Sequence, residues 1–214
     1  MRNAIFIIII LIISIVCLSV TVFNKKINTF YKNADKENLS YRDQFYYNYD
    51  YFVISNESVP LNQVLMLSDT LGTSKSLADI VKSFAEPKIY IRYSQYDCSD
   101  CVNAIFKLLN SYPAAQRNSF VIISDYDDHD KFMVTRKSKF WHLDHYNIDF
   151  SSNGSQSSTE PPKLGIPIEG KGVPFVFTVN ALMQTDHFFT PEKGDLDSFK
   201  RYLNAVLKKM KSNK

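Results

Sequence analysis

Two cysteines, Cys98 and Cys101, stand three positions apart in the stretch SQYDCSDCVNAIFKLL. An apolar, strand-like run precedes them and a helical pattern follows, so both thiols are expected on the first turn of a helix. There the first thiol faces backbone N–H groups and the positive end of the helix dipole, which stabilise a thiolate. This placement suits thiol–disulfide exchange, in which Cys98 attacks a disulfide and Cys101 displaces the resulting mixed disulfide.

Two other uses of the cysteine pair stay open at this point. A zinc site needs a second pair of ligands, and the spacing of His142 and His145 leaves a site of two cysteines and two histidines possible. A purely structural disulfide would close a very short loop, which adds little entropy-based stability.

The elements around the cysteines form a β–α–β pattern. The run KIYIRYS predicts a strand, and the helix after the cysteines has apolar residues at helical spacing: Val102, Ile105, Phe106 and Leu109. SFVIISDYD predicts a second buried strand, and the polar run DDHDKFMVTRKSK is expected to contain a helix. The pattern predicts an α/β fold with a central sheet covered by helices.

Further elements are expected on both sides of this unit. NQVLMLSDTLGTSKSLADIVKSF predicts a short strand, a turn at Leu71 and Gly72, and a helix that Ser76 begins. GVPFVFTVN predicts a strand with Pro174 at its start, and QTDHFFTP a hairpin partner. A final helix is expected to have Asp195 as its N-cap.

The chain is expected to have three parts. Residues 1–23 contain a continuous apolar stretch of membrane-spanning length from Ala4 to Phe23, which predicts a retained transmembrane helix. Residues 24–59 are polar and tyrosine-rich, and predict a stalk or a segment that packs on the domain. Residues 60–214 predict one domain of ordinary size, with a loop insertion at about 150–170 in the Ser-, Gly- and Pro-rich run SSNGSQSSTEPPKLG.

Charge bears on orientation and on partners. The basic residues that follow the apolar stretch, among them Lys25, Lys26 and Arg42, favour a cytoplasmic domain, but the short N-terminal tail is similar to uncleaved bacterial export signals. We expect a single-pass inner-membrane protein with a periplasmic or otherwise extracytoplasmic domain. The net charge of +3 comes from interspersed charges, so no nucleic-acid partner is expected.

Together, KIYIRYSQYDCSDCVNAIFKLL and GVPFVF resemble the C-x-x-C turn and the proline-led strand of thioredoxin-fold proteins. The apolar N-terminus and VLMLSDTLGTSKSLADI are similar to the membrane-tethered TlpA-like and peroxiredoxin-related thiol oxidoreductases of the bacterial envelope. The resemblance covers about residues 60–210 and implies a thioredoxin-like fold with a central mixed sheet flanked by helices. It implies that Cys98 is the nucleophile and Cys101 the resolving thiol, that Pro174 is a cis proline against the sulfurs, and that the Val173 backbone pairs with an extended substrate.

The sequence departs from that family at three modulating positions. Asp97 stands where many members have tryptophan, and Asp100 lies between the cysteines, so two carboxylates oppose thiolate formation and favour a more reducing pair. Arg92 stands where thioredoxin has a buried acid. Strand alternation puts it under the active-site turn, where it pairs with Asp97, Asp100 or another acid, or else stabilises a thiolate directly.

The leading hypothesis is an enzyme of the bacterial cell envelope, a thiol–disulfide oxidoreductase that acts on protein disulfides through its C-x-x-C dithiol. Its partners would be a protein disulfide or dithiol, a thiol protein that donates electrons, and the membrane; no cofactor and no metal are expected. One alternative is a copper- or other metal-binding thioredoxin-like module with His187 as third ligand. The other is a non-catalytic thioredoxin-like binding scaffold.

Overall fold

The structure is a computed structural model that describes residues 53–139, 142–151, 162–191 and 194–212. The predicted membrane span and most of the predicted tyrosine-rich segment lie outside these ranges. Within them, no helix combines the length and the apolar character that crossing a bilayer requires.

Seven strands form one sheet in the described part of the chain, and helices connect them. The strands are β1 (Met66–Ser68), β2 (Ser74–Ser76), β3 (Ile89–Arg92), β4 (Phe120–Ser124), β5 (Asp144–Ile148), β6 (Phe175–Val179) and β7 (Thr185–Phe189). The helices are α1 (Leu77–Ser83), α2 (Ser99–Asn110), α3 (Ala114–Arg117), α4 (His129–Lys139) and α5 (Leu196–Ser212).

The sheet is mixed, with the strand order β2-β1-β5-β4-β3-β6-β7. Strands β3, β4 and β5 run parallel to one another, whereas β6 pairs antiparallel with β3 and β7 antiparallel with β6. Every residue of the two central strands β3 and β4 is buried, which agrees with their continuous apolar runs. The predicted α/β class with a mixed sheet flanked by helices is confirmed, and the order of the elements agrees with the expected thioredoxin-like fold.

Two apolar clusters hold the helices against the sheet. Helices α2 and α5 cover one face, where Phe106 and Phe199 pack against strand residues such as Ile91. Helix α1 covers the other face, where Ile80 packs with Tyr90 and with residues of the segment 164–168. Burial of these side chains is the main favourable term that holds the helix bearing the cysteines in place.

The caps of the helices follow the predicted residues. The side chain of Ser76 accepts a hydrogen bond from the Asp79 backbone N–H at 3.1 Å and begins α1. The carboxylate of Asp195 accepts one from the Ser198 N–H at 2.9 Å at the start of α5. The predicted turn before α1 contains Gly72 with a φ of +78°, a conformation that glycine adopts without strain.

Strand β5 was not predicted from the sequence. Its residues Asp144–Ile148 have polar side chains at positions that the structure buries, because His145 and Asn147 form hydrogen bonds with Ser124 of the neighbouring strand. A short segment with this composition looks like a loop to any rule based on hydrophobic pattern.

Residues on either side of the predicted domain boundary at residue 60 lie against the edge strand β7. The Ser58 N–H donates to the Thr185 carbonyl at 2.8 Å, and the Leu61 N–H donates to the Met183 carbonyl at 3.0 Å. The Glu57 carboxylate accepts hydrogen bonds from the N–H groups of His187 and Phe188, both at 2.8 Å. The described end of the tyrosine-rich segment therefore covers an otherwise open sheet edge.

Candidate active site

Cys98 is the N-cap residue of α2, directly after the loop that leaves strand β3. Its Sγ accepts a hydrogen bond from the Cys101 backbone N–H at 3.4 Å, and its carbonyl accepts one from the Val102 N–H at 3.0 Å. Both cysteines are thiols in this structure, and both are partly exposed. The predicted placement of Cys98 at a helix N-terminus is confirmed, and this placement favours the thiolate form of its sulfur.

Helix α2, which begins at the cysteines, is packed firmly against the sheet. Val102, Ile105, Phe106 and Leu109 are all buried on its inner face, as their spacing predicted. Because the first of them follows Cys101 immediately, the sulfur atoms are attached to a packed element rather than to a free loop.

A tight turn of residues 94–97, here called the cysteine turn because it leads directly to Cys98, connects strand β3 to helix α2. The Asp97 N–H donates to the Ser94 carbonyl at 3.0 Å, and the Asp97 carboxylate accepts from the Ser94 N–H at 2.8 Å. Tyr96, at the tip of the turn, is 75% exposed. The two hydrogen bonds between its ends make the turn a compact unit.

The two acids beside the cysteines lie in different surroundings. Asp97 is partly buried, and burial raises the pKa of its carboxyl, while the Ser94 N–H and the Arg92 guanidinium act in the opposite direction. Asp100 lies exposed in the first turn of α2. Asp97 immediately precedes Cys98, and a hydrogen bond from the Ser94 N–H fixes its carboxylate.

Arg92 is buried beneath this turn, as strand alternation predicted, with 4% of its surface exposed. Its Nη2 donates to the Asp125 carboxylate at 2.8 Å, its Nη1 donates to the Tyr93 carbonyl, and its Nε lies 3.4 Å from the Glu169 carboxylate. The expected ion pair of Arg92 is confirmed. Its partners are Asp125 and Glu169 rather than Asp97 or Asp100.

Each of the two acids that pair with Arg92 also holds a loop. Asp125, at the end of β4, accepts from the Gln95 N–H at 3.0 Å. Glu169 accepts from the N–H groups of Gly165 at 3.0 Å and Ile166 at 3.2 Å. Burial raises the pKa of the Glu169 carboxyl, against the opposing effects of Arg92 and the N–H groups.

The Arg92–Glu169 contact is an ion pair without a hydrogen bond. The guanidinium Nε and the carboxylate Oε1 are both buried, and neither has a hydrogen-bond partner among the described residues. One cation therefore faces two buried acids in incomplete geometry, an arrangement that costs desolvation energy and is weak evidence for a purely stabilising role.

Val173 and Pro174 lie beside the cysteine turn on the strand side. The antiparallel ladder of β3 and β6 ends at the pair Arg92 and Phe175, so residues 173 and 174 continue past it alongside the turn that leads to Cys98. Val173 is 37% exposed, whereas Pro174 is buried. The pairing of the Val173 backbone with a substrate stays a prediction.

The prediction that Pro174 has a cis peptide bond is wrong. No peptide bond in the described ranges is cis, so the bond from Val173 to Pro174 is trans. The sequence GVPF places a proline at a strand start, and the trans form, which is the commoner one for any X–Pro bond, fits that extended geometry equally well.

A cavity of about 410 Å³ opens between the cysteine turn and the segment before Val173. Its walls include Ser94, Tyr96 and Asp97 on one side and Gly170, Lys171 and Gly172 on the other. Arg92, Asp125 and Glu169 also line it. The buried charged cluster thus lies on the cavity between these two chain segments.

The histidines considered as metal ligands have other surroundings. His145 is buried, with its Nε2 3.0 Å from the Ser124 hydroxyl, and His142 Nε2 lies 2.7 Å from the Asn110 side chain. His187 Nδ1 lies 2.9 Å from the Asp186 carboxylate, and its Nε2 lies 2.8 Å from Lys209 Nζ. No group of three or more metal-ligating side chains comes together within the described residues.

Sequence reasoning missed Asp125, Glu169 and Gln95. Asp125 could have been found from the sequence, because it directly follows the buried strand β4, the parallel neighbour of β3. Side chains at the carboxyl ends of neighbouring parallel strands meet at one edge of a sheet. No sequence signal pointed to Glu169, since the run PIEGKG has neither a hydrophobic period nor a motif.

No protein-family model matches the sequence, and a comparison with curated proteins gives no match either. Among solved structures, the chain is similar to the thioredoxin domain of a thiol-disulfide oxidoreductase from Bacteroides vulgatus, with 16% identity, 73% of this chain and 97% of that chain covered, and a TM-score of 0.45. It is also similar to peroxiredoxin Q from Xanthomonas campestris (13% identity, 74% and 99% covered, TM-score 0.45) and to a thiol:disulfide interchange protein from Bacteroides sp. (15% identity, 70% and 90% covered, TM-score 0.42). Likeness at this level assigns no activity, so the function is argued from the residues of the site.

Proposed function

We propose that this chain is a thioredoxin-like thiol–disulfide oxidoreductase that acts on disulfides of other proteins through Cys98 and Cys101. The observation that carries the proposal is the position of Cys98 at the N-cap of α2, where its sulfur accepts the Cys101 N–H. A sulfur in this position is both exposed enough to react and electrostatically favoured as a thiolate, which is the nucleophilic form.

The reaction proceeds in two exchange steps. The Cys98 thiolate attacks one sulfur of a substrate disulfide, a mixed disulfide forms, and the other substrate sulfur leaves as a thiolate that takes up a proton. Cys101 then loses its proton and attacks Cys98, which releases the second substrate sulfur as a thiolate. The enzyme dithiol is oxidised and the substrate disulfide is reduced by the same two electrons, and a thiol protein that donates electrons restores the dithiol.

The surroundings of the pair favour the reducing direction. Asp97 immediately precedes Cys98 in the chain, and Asp100 follows Cys98 by two residues. Negative charge close to a thiolate makes that thiolate less favourable, which favours the disulfide of the enzyme over its dithiol and so makes the dithiol a better reductant. We expect the chain to act as a reductant tethered to the inner membrane by residues 1–23, with its domain outside the cytoplasm.

The test uses the full chain in a Cys17→Ser background, so that Cys98 and Cys101 are its only thiols. Reduction of insulin disulfides by the wild-type pair, with dithiothreitol as the electron source, should be lost in Cys98→Ser. In Cys101→Ser, turnover should be lost too, but without dithiothreitol a covalent adduct with insulin should accumulate, and dithiothreitol added afterwards should release it.

Two results would oppose the proposal. One is equal turnover in the two cysteine variants and the wild-type pair. The other is an adduct that forms through Cys101 in Cys98→Ser but never through Cys98 in Cys101→Ser, because this would reverse the roles of the two sulfurs.

A further inference from the structure

The buried guanidinium of Arg92 connects two chain segments through two acids. One segment is the cysteine turn, residues 94–97, and the other is the segment 164–172, which leads to Val173. Arg92 contacts Asp125 on the side of the first segment and Glu169 on the side of the second. It is the only described arginine that pairs with two buried acids.

The connection to the cysteine turn is direct on the side of Asp125. One carboxylate oxygen binds Arg92 at 2.8 Å, and the other accepts the Gln95 N–H at 3.0 Å. The Gln95 side chain in turn donates to the Asp125 carbonyl at 3.3 Å. Gln95 lies within the turn that ends at Cys98, so Asp125 holds that turn to the sheet.

The connection to the second segment is direct on the side of Glu169. Its Oε2 accepts the Gly165 and Ile166 N–H groups, while its Oε1 faces Arg92. Glu169 thereby folds its own segment into a closed loop and attaches that loop to Arg92. The chain from Gly170 to Gly172 then leads directly to Val173, along the cavity wall.

From this geometry we propose that Arg92, Asp125 and Glu169 form a positioning cluster that sets the spacing between the reactive sulfur of Cys98 and the backbone of Val173. The inference rests on the proposed function and adds two residues, Asp125 and Glu169, that act through others rather than by touching substrate. The two acids have separate roles: Asp125 positions the sulfur, and Glu169 positions the segment that receives the substrate backbone.

The separate roles lead to separate kinetic effects. Loss of the Glu169 contact should loosen the substrate side, which raises the KM for a protein disulfide and leaves the intrinsic reactivity of Cys98 unchanged. Loss of the Asp125 contact should loosen the cysteine turn, which changes the alkylation rate of Cys98 and its pH profile and leaves KM almost unchanged. A residue with only a structural role would move neither readout in the folded protein.

The experiment compares Glu169→Gln and Asp125→Asn in the full Cys17→Ser chain. Each amide keeps one oxygen for the backbone N–H groups but removes the charge that binds Arg92. Alkylation of Cys98 by iodoacetamide is followed in a Cys101→Ser background, and the KM for insulin disulfides is measured with the intact pair. Circular dichroism selects the temperature at which every variant is folded.

Glu57→Gln is the matched control. Glu57 also accepts two backbone N–H groups, those of His187 and Phe188, but it does so at the edge strand β7 and outside the cluster. Gln95→Ala is a second variant for the cysteine side, because it removes one hydrogen bond to Asp125 and leaves every buried charge in place.

The expected result is a KM for Glu169→Gln that is about tenfold higher, equivalent to about 1.4 kcal/mol, with alkylation as in the wild type. For Asp125→Asn and Gln95→Ala, the alkylation profile should shift and KM should stay within about twofold. The proposal is overturned if all three variants match Glu57→Gln in both readouts, or if each of them changes both readouts together. If the wild type reduces no insulin, the proposed function fails, and the alkylation profiles of Asp125→Asn and Gln95→Ala still decide whether the cluster positions Cys98.

Discussion

Cys98 has opposing electrostatic neighbours. The start of α2 and the Cys101 N–H favour a negative charge on its sulfur, while the partly buried carboxyl of Asp97 on the preceding residue opposes it. Residues this close to a sulfur alter its reactivity without touching the substrate. The balance between the helix terminus and Asp97 therefore decides how reactive the nucleophile is at neutral pH.

Asp97→Asn should make Cys98 react faster with iodoacetamide at neutral and mildly acidic pH. The asparagine oxygen can still accept the Ser94 N–H, so the turn is kept while the negative charge is removed. The rate gain should shrink as the pH falls through the pKa of the Asp97 carboxyl, which burial raises, because the wild-type carboxyl then becomes neutral as well.

Asp100→Asn is the control for this effect, since Asp100 is exposed and solvent screens its charge. It should change the alkylation rate less than Asp97→Asn does. An equal gain in both variants would show that the environment of Asp97 has no special effect on Cys98.

His145 makes the stability of the fold depend on pH. Burial, with a smaller contribution from Arg136, lowers the pKa of this histidine to about 3. In the unfolded chain the His145 side chain takes up a proton at the ordinary histidine pKa of about 6.5, whereas in the folded chain it stays neutral until a much lower pH. The free energy of unfolding should therefore fall by up to about 1.4 kcal/mol per unit as the pH drops from about 6.5 toward 3.

Urea unfolding of wild type and His145→Asn between pH 7 and pH 4 measures this effect. The variant should be less stable at pH 7, because the Ser124 hydroxyl loses a partner, and the difference should narrow or reverse toward pH 4. His129→Asn, at an exposed position, is the control variant. A constant difference between His145→Asn and wild type across the range would contradict the effect.

At the scale of a single element, helix α2 connects the two cysteines to the hydrophobic core. Its N-terminus holds the cysteines, and its inner face packs with α5 and the central strands. This packed face holds the helix, and with it the cysteines, against the sheet. Leu109, fully buried in its last turn, is the position where packing can be changed farthest from the cysteines.

Leu109→Ala should cost about 2–5 kcal/mol of unfolding free energy, because it leaves a cavity in the core. The folded fraction should still show wild-type alkylation of Cys98, since the cap is untouched. Lys107→Ala, at an exposed position of the same helix, should change stability by no more than about 0.5 kcal/mol. Loss of Cys98 reactivity in folded Leu109→Ala would contradict this prediction, because it would show that a packing change in the last turn of α2 reaches the cysteines.

Elements with a strong period were predictable from the sequence. Strand β4 is continuously apolar, and α2 has four apolar residues on one face, so both were identified with their roles. Strand β5 was missed because its buried polar residues are satisfied only by partners on β4, which no local pattern reveals. The trans bond before Pro174 could not be predicted either, because the same sequence fits both isomers.

At the scale of the whole molecule, the sheet brings together residues that are far apart in the chain. Arg92, Asp125 and Glu169 meet because β3 lies between β4 and β6. The burial of Arg92 and its pairing with an acid followed from the strand period. Its partners did not, since a contact with Glu169 depends on how a loop without regular structure returns to the sheet.

The redox midpoint of the pair Cys98 and Cys101 is the measurement that tests the central claim most directly. The full Cys17→Ser chain is equilibrated in glutathione and dithiothreitol buffers, and thiol alkylation reads the reduced fraction. We expect a reversible two-electron couple near the reducing end of the range from about −270 to −120 mV that thioredoxin-like proteins span. A pair that stays fully reduced or fully oxidised across all buffers, or that changes irreversibly, would contradict thiol–disulfide exchange at this site.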